Sequence, residues 1–217
     1  MLDLSIVIVS SARTESLVSM TQQAINTSML QSDVSKELIL LEDNNVSYDN
    51  VNKLIDTSNI EFNYNKFLNI GIDYCDGEFI ALCNNDLVFE KNWDSVIVDT
   101  MRKNKILSAS PISGHLVDEN KESIVWGYKI GKIVLGWCIV INRYVLELIG
   151  KLDESVTFWY SDNLYVNQLK KNKICHALIC NSIVNHLCSK TVECLNKDLR
   201  LKYTKNQKMI FEKGTTC

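Results

Sequence analysis

The sequence predicts a single α/β domain built on a mostly parallel sheet. In its first half, β-branched apolar runs alternate with stretches of helical period. Three of those runs stop abruptly in polar clusters: Ser10-Ser11, Glu42-Asp43 and Asn84-Asn85-Asp86. The run Phe79-Ile80-Ala81-Leu82-Cys83 is apolar on both faces, as a central parallel strand requires. Parallel strands joined by right-handed crossovers end on one edge, and ligands of open α/β sheets bind beyond that edge. Three scattered clusters therefore belong to one expected site.

Leu4 to Val9 reads as the first strand, and Thr14 to Leu30 as a helix with Leu17, Met20, Ile25 and Met29 at helical spacing. Leu38 to Leu41 is the second strand. A short helix is expected over Tyr48 to Ile55 and a short strand near Ile60 to Phe62. Lys66 to Cys75 is expected to be helical, with Phe67, Ile70 and Tyr74 on one face. It leads through Gly77-Glu78 into the central strand. Trp93 to Lys103 is a helix and Ile106 to Ser110 a strand.

Ser113 to Lys132 is polar and weakly patterned, a hairpin or a loop over the site. Leu135 to Ile141 returns as a strand, followed by a helix from Arg143 to Leu148 that stops at Gly150. Ser161-Asp162 is a good start for a helix over Asn163 to Lys171. Ile174 to Ile179 and Ile183 to Leu187 read as strands, and Val192 to Glu212 as a terminal helix.

Composition narrows the function. The 217 residues are 46% hydrophobic and 23% charged, enough for a sizeable core. A net charge of -3 gives no electrostatic footprint for nucleic acid. Five of the eight cysteines, Cys75, Cys83, Cys138, Cys175 and Cys180, lie in or beside apolar runs, and no pair has CxxC spacing. The N-terminus runs straight into a strand without a signal-peptide pattern, and no apolar stretch reaches the ~18 residues of a membrane span. Reduced thiols and a cytoplasmic location, at most peripheral to a membrane face, are expected.

Taken in order, the motifs resemble glycosyltransferase family 2. The resemblance rests on Ser10 and Arg13 after the first strand, Glu42-Asp43 after the second, and Asn65 to Gly71 before Gly77-Glu78-Phe79-Ile80. Asn84-Asn85-Asp86 stands at the DxD position, as in rhamnosyltransferase-like members that read NND. Gly136-Trp137-Cys138, Ile149-Gly150-Lys151-Leu152-Asp153-Glu154 and Trp159-Tyr160-Ser161-Asp162 continue the match to about residue 190. The resemblance implies a GT-A fold and inverting transfer of one sugar from a nucleoside-diphosphate sugar (UDP-, GDP- or dTDP-) to a glycan or glycoprotein acceptor. It also implies a nucleotide-sugar half over about 1–110, an acceptor half over about 111–190 and a C-terminal helix over about 191–217.

The same resemblance assigns roles. Asp86 would hold Mn2+ or Mg2+, with His186 as a second ligand; otherwise Asp86 caps the next helix and His186 is structural. Ser10, Arg13, Glu42, Asp43, Lys66, Asn69, Asn84 and Asn85 would contact the donor, carboxylates accepting from ribose or base. Asp162 would be the general base, or only a helix cap. Trp137, Trp159 and Tyr160 would face the acceptor, or pack in the core. His176, in an apolar strand, reads as core, and His115 has no context.

The chain departs from the family at Asn84 and at Ser161, where acids are usual, and at Ser10 and Phe67. Those departures leave room for a weakened nucleotide-sugar or glycan-binding module, or for a transferase acting on a modified nucleic-acid base. A nucleotidyltransferase fits poorly, because Ser10-Ser11-Ala12-Arg13 contains no glycine.

Overall fold

The computed structural model describes residues 2–114, 122–187 and 207–213. Along the chain run β1 (Leu4–Ser10), α1 (Glu15–Ser28), β2 (Lys36–Glu42), β3 (Lys53–Asp56), α2 (Tyr64–Ile72), β4 (Phe79–Asn84) and β5 (Leu87–Phe89). There follow α3 (Trp93–Asn104), β6 (Ser108–Ile112), β7 (Ile124–Trp126), β8 (Cys138–Asn142), α4 (Tyr144–Ile149), α5 (Ser161–Lys171) and β9 (His176–His186). The strands form one sheet in the order β3-β2-β1-β4-β8-β6-β9-β5, with β7 also on β9.

The pairings β2–β3, β1–β2 and β1–β4 are parallel, as the alternating pattern predicts. Beyond β4 the sheet is mixed: β8 runs antiparallel between β4 and β6, while β9 is parallel to β6. Alternate residues of the central strands feed two cores. Ile6, Ile8, Leu38, Leu40, Phe79 and Ala81 pack under α1 and α3 against Ile25, Trp93, Ile97 and Met101. Val7, Val9, Ile39, Leu41, Ile80 and Leu82 pack against Phe67 and Leu68 of α2, Val145 of α4 and Leu169 of α5. Coverage on both faces is why these strands read as unbroken apolar runs.

Several expectations are corrected. Tyr48 to Ile55 is not a helix. Asn50 adopts a left-handed φ of 60°, and Asn52 exchanges hydrogen bonds with Leu38, clipping Lys53–Asp56 to the open edge of β2. The unpaired ladder of β2 outweighs local helix propensity there. No strand forms at Ile60 to Phe62; both aromatic neighbours of Phe62, Phe67 and Phe158, hold it as an edge-packed loop ring. Tyr74 lies beyond the end of α2 and is 44% exposed.

The two strands expected after Ile174 are one continuous strand, β9, with a register irregularity opposite Pro111/Ile112. Part of Ser113 to Lys132 is the short strand β7, antiparallel to β9; positions 115–121, with His115, lie outside the described residues. Most of the expected terminal helix does too, and 207–213 is helical. The five described cysteines are free thiols.

Candidate active site

The register of the sheet assembles the site. Ser10 pairs with Glu42 and Val9 with Asn84, so the ends of β1, β2 and β4 are level. Because β8 is antiparallel, its start meets those ends, and Asn84 donates its N–H to Trp137 O at 3.0 Å. β9 ends at His186, which pairs across β5 with Leu87. The backbone N–H of Leu187 then donates to Asp86 O at 2.9 Å. Asp86 and His186, a hundred positions apart in the chain, are thereby locked together.

Their side chains face one another: Asp86 Oδ1 and His186 Nε2 are 3.1 Å apart, with the carboxylate 4% and the imidazole 17% exposed. Among the described residues Asp86 Oδ1, apart from this contact, is buried without a hydrogen bond, a costly arrangement for a carboxylate oxygen. The imidazole stacks on Trp137, 5.6 Å between centroids and 15° between planes. Trp137, expected at the acceptor, therefore backs His186, though it also lines the cleft.

That cleft holds about 370 Å³ and is walled by Tyr64, Asn84, Trp137, Trp159, Asp162 and His186, among others. Asp162 is the second residue of α5, and its Oδ1 accepts from the N–H of Asn163 at 2.9 Å. Burial raises its pKa above the ordinary carboxylate value. Gly136 makes room for it: a Cβ there would lie 2.9 Å from Asp162 Cβ and 3.0 Å from Oδ2.

Ser161, in place of an acid, turns its hydroxyl to Phe158 O at 2.6 Å. Trp159 is 38% exposed at the cleft wall. Tyr160 carries a left-handed φ of 71° and stacks on Phe211 of the 207–213 segment, 5.2 Å between centroids. Gln207 of the same segment accepts from Thr157 N and Phe158 N. The loop bearing the aromatics is thus held from the C-terminal side.

A second hollow of about 480 Å³ lies against the start of α1, lined by Ala12, Arg13, Thr14, Glu15 and Asn44. Arg13 reaches Asp43 Oδ2 at 2.7 Å and Ser11 Oγ donates to the same oxygen at 3.1 Å. Asp43 Oδ1 is buried without a hydrogen bond. Glu42 is otherwise: its Oε1 accepts from Ala12 N and Asn44 N, both at 3.1 Å, and its Oε2 from Tyr48 OH at 2.8 Å. It shapes the loop after β1 from beneath, with 1% of its surface exposed.

Ser10 and Asn85 are buried in one hub, Asn85 Nδ2 donating to Ser10 Oγ at 3.2 Å and to Thr21 Oγ1 at 2.9 Å. Lys66 sits in the first turn of α2, its N–H capped by Asn63 Oδ1. Asn69 is buried and clasps the turn after α4, exchanging hydrogen bonds with the backbone of Leu152 and donating to Glu154 Oε1. Of the expected site residues, the cleft gathers Asn84, Trp137, Trp159, Tyr160, Asp162 and His186, with Asp86 behind His186. Arg13 lines the second hollow and pairs with Asp43, which does not line it. Ser10, Glu42, Asn69 and Asn85 lie underneath as supports.

Tyr64 was not marked by the sequence. Its hydroxyl donates to Asn84 Oδ1 at 2.8 Å, and nothing in Asn63-Tyr64-Asn65 signals this beyond a helix start. Among the described residues no cluster of three or more His, Cys, Asp or Glu side chains gathers. No protein-family model matches the chain, and no curated protein matches it. Among solved structures it is similar to a crystal structure of GalNAc-T7 with UDP, GalNAc and Mn2+, at a TM-score of 0.66 and 12% identity. The match covers 85% of this chain and 44% of that one, so the chain spans less than half the length of this neighbour. The likeness establishes the fold: a GT-A-like α/β domain with its cleft at the carboxyl edge of the sheet.

Proposed function

We propose that the chain is a metal-dependent, inverting glycosyltransferase, similar to family 2, that moves one hexose-type sugar from a nucleoside-diphosphate donor to a hydroxyl of a glycan or glycoprotein acceptor. One observation carries this reading. A desolvated carboxylate, Asp162, and a buried carboxylate–imidazole pair, Asp86 and His186, converge on one cleft from elements that the sheet register brings together. The UDP, GalNAc and Mn2+ bound to the similar structure support the same reading.

In this reading the acceptor hydroxyl oxygen attacks the anomeric carbon as Asp162 takes its proton. The bond between that carbon and the phosphate oxygen breaks, and the nucleoside diphosphate leaves with the electron pair. Burial suits Asp162 to the task, since a raised pKa makes a carboxylate a stronger base nearer neutral pH. Asp86 Oδ1 and His186 Nε2 fit a divalent cation: one anionic oxygen and one imidazole nitrogen, buried and turned to the same point. Such a cation neutralises the charge that grows on the departing diphosphate. With so few protein ligands, such a cation would need further oxygen donors, as Mg2+ at phosphate sites usually draws them from the substrate.

Arg13, held by Asp43, lines the second hollow and offers its guanidinium to a base or diphosphate there. Trp159 offers an exposed ring to the acceptor. Among the described residues no helix is long and apolar enough to cross a membrane. The second reading, a binding module, is favoured by the Ser161 hydroxyl turned away to Phe158 O.

A thermal-shift panel of UDP-, GDP- and dTDP-sugars, with and without Mn2+, tests the proposal. One donor should raise Tm in a Mn2+-dependent way, and no shift with any of them sinks it. Asp162→Asn should abolish turnover while keeping that shift, whereas a binding module would show no turnover in the parent protein either.

A further inference from the structure

We infer that Asn84 is a hydrogen-bond donor to the diphosphate of the donor substrate, and that Tyr64 is the positioning residue that turns its amide that way. The inference rests on the reading of the cleft as a nucleotide-sugar site. At the place where a second metal-binding acid is expected, the chain instead has a neutral N–H group presented to an anion.

The geometry begins with Tyr64. Its ring is buried between α2 and the sheet, edge-on to Phe158, with 7% of its surface exposed. Its hydroxyl lies 2.8 Å from Asn84 Oδ1, the one hydrogen bond this hydroxyl makes among the described residues. The phenol keeps its proton, because burial first, then the neighbouring Cys83 and Cys138, and after them Asp86 and Asp162 disfavour the phenolate. The hydroxyl can donate or accept, but accepting from the Asn84 amide would leave its own proton without a partner among the described residues, so the atom of Asn84 that meets it is the carbonyl oxygen. This settles the orientation of the amide by chemistry.

Nδ2 is then the free end. Among the described residues no protein acceptor takes it, and it is not a buried atom. Asn84 is the last residue of β4, two before Asp86, and it lines the same cleft as His186. Its backbone is pinned by the bond to Trp137 O, so the side chain has little freedom besides rotation about its own torsions. A donor fixed at the carboxyl edge, beside the groups that would hold the cation, meets whatever anion sits there. A carbonyl oxygen already engaged by Tyr64 is correspondingly a poor metal ligand.

The test measures binding of UDP, GDP and dTDP by titration calorimetry, in EDTA and in Mn2+, to the full chain and to Asn84→Ala, Asn84→Asp and Tyr64→Phe. Ratios are read in whichever condition the parent protein binds. Asn84→Ala should weaken binding about 10-fold, the worth of one hydrogen bond to a charged group. Tyr64→Phe should weaken it less, and the double variant Asn84→Ala/Tyr64→Phe no more than Asn84→Ala alone, because Tyr64 acts through Asn84. A merely structural Tyr64 would instead lower Tm and leave the affinity of the folded fraction unchanged.

Unchanged affinity in Asn84→Ala overturns the inference and leaves the transferase reading standing. Tighter Mn2+-dependent binding by Asn84→Asp overturns it in favour of a degenerate metal ligand. Binding of none of the three nucleotides to the parent protein, in either condition, overturns both.

Discussion

Gly136 shows how much of this site depends on one missing methyl group. The Asp162 side chain packs where a Cβ on residue 136 would stand, its own Cβ at 2.9 Å and its Oδ2 at 3.0 Å, closer than ordinary van der Waals contact. Gly136→Ala should push Asp162 off its position while the surrounding strand stays paired. A base displaced by a fraction of an ångström loses on the order of 10- to 100-fold in rate. The expected outcome is a fall of that size in kcat, with donor affinity and Tm nearly unchanged. Full activity in Gly136→Ala would show that Asp162 is not the base.

Single residues also mark the limit of what the sequence shows. The types and order of Glu42-Asp43 and Asn84-Asn85-Asp86 are plain to read, and the register puts all of them at one edge. Which way each side chain turns is not. Glu42 is the last residue of β2 and Asp43 the first beyond it, so the alternation that orients strand side chains stops between them. One ends buried beneath the loop after β1 and the other beside Arg13. At the end of β4, likewise, Asn84 faces the cleft while Asn85, just past the strand, enters the hub with Ser10 and Thr21.

At the scale of elements, α2 clasps the turn that follows α4. Its asparagines reach across: Asn63 Nδ2 to Glu154 O, Asn65 Nδ2 to Asp153 O, and Asn69 to both backbone groups of Leu152. Gly71 lets the helix press onto β1, since a Cβ there would meet Val7 Cγ1 at 2.4 Å. Asn69→Ala strips three hydrogen bonds and leaves the N–H of Leu152 buried and unpaired, which costs about 2–4 kcal/mol. Tm should fall by roughly 5–10 °C, and the KM for the donor should hold in the molecules that remain folded. A raised KM at normal Tm would return Asn69 to the donor contacts first expected of it.

Elements with a strong period are the ones the sequence reveals: β1, β2, β4, α1 and α3. β3, β5 and β7 are three or four residues long and exist because a neighbouring edge pairs with them. Local pattern has nothing to report about such strands. The antiparallel entry of β8 is equally hidden, because an apolar run carries no direction.

For the molecule as a whole, acid should be a destabilising condition. His176 is fully buried where β6, β9 and α5 meet, its Nδ1 2.8 Å from Ser108 Oγ and its Nε2 3.2 Å from Ser110 Oγ. Ser108 also bonds Tyr165 OH at 2.6 Å, one turn beyond Asp162. Burial holds the imidazole down from its ordinary 6.5 to about 4. The unfolded chain therefore binds this proton first. The contribution is complete above pH 6.5 and is lost as pH falls towards 4, a change of about 3 kcal/mol. Urea midpoints measured between pH 7 and 4 should decline, and His176→Gln should flatten that decline. A parallel decline in both proteins would assign the acid sensitivity elsewhere.

β4 has one neighbour encoded before it and one encoded long after. Cys83 lies against Cys138, 55 residues further on, across the β4–β8 pair. A ribosome adding about 5–20 residues per second needs several seconds to cover that distance. For that interval Phe79–Asn84 presents an open, apolar edge, the kind that recruits foreign strands. The strand that carries Asn84, with Asp86 just beyond it, thus stands half-paired in the nascent chain until β8 emerges.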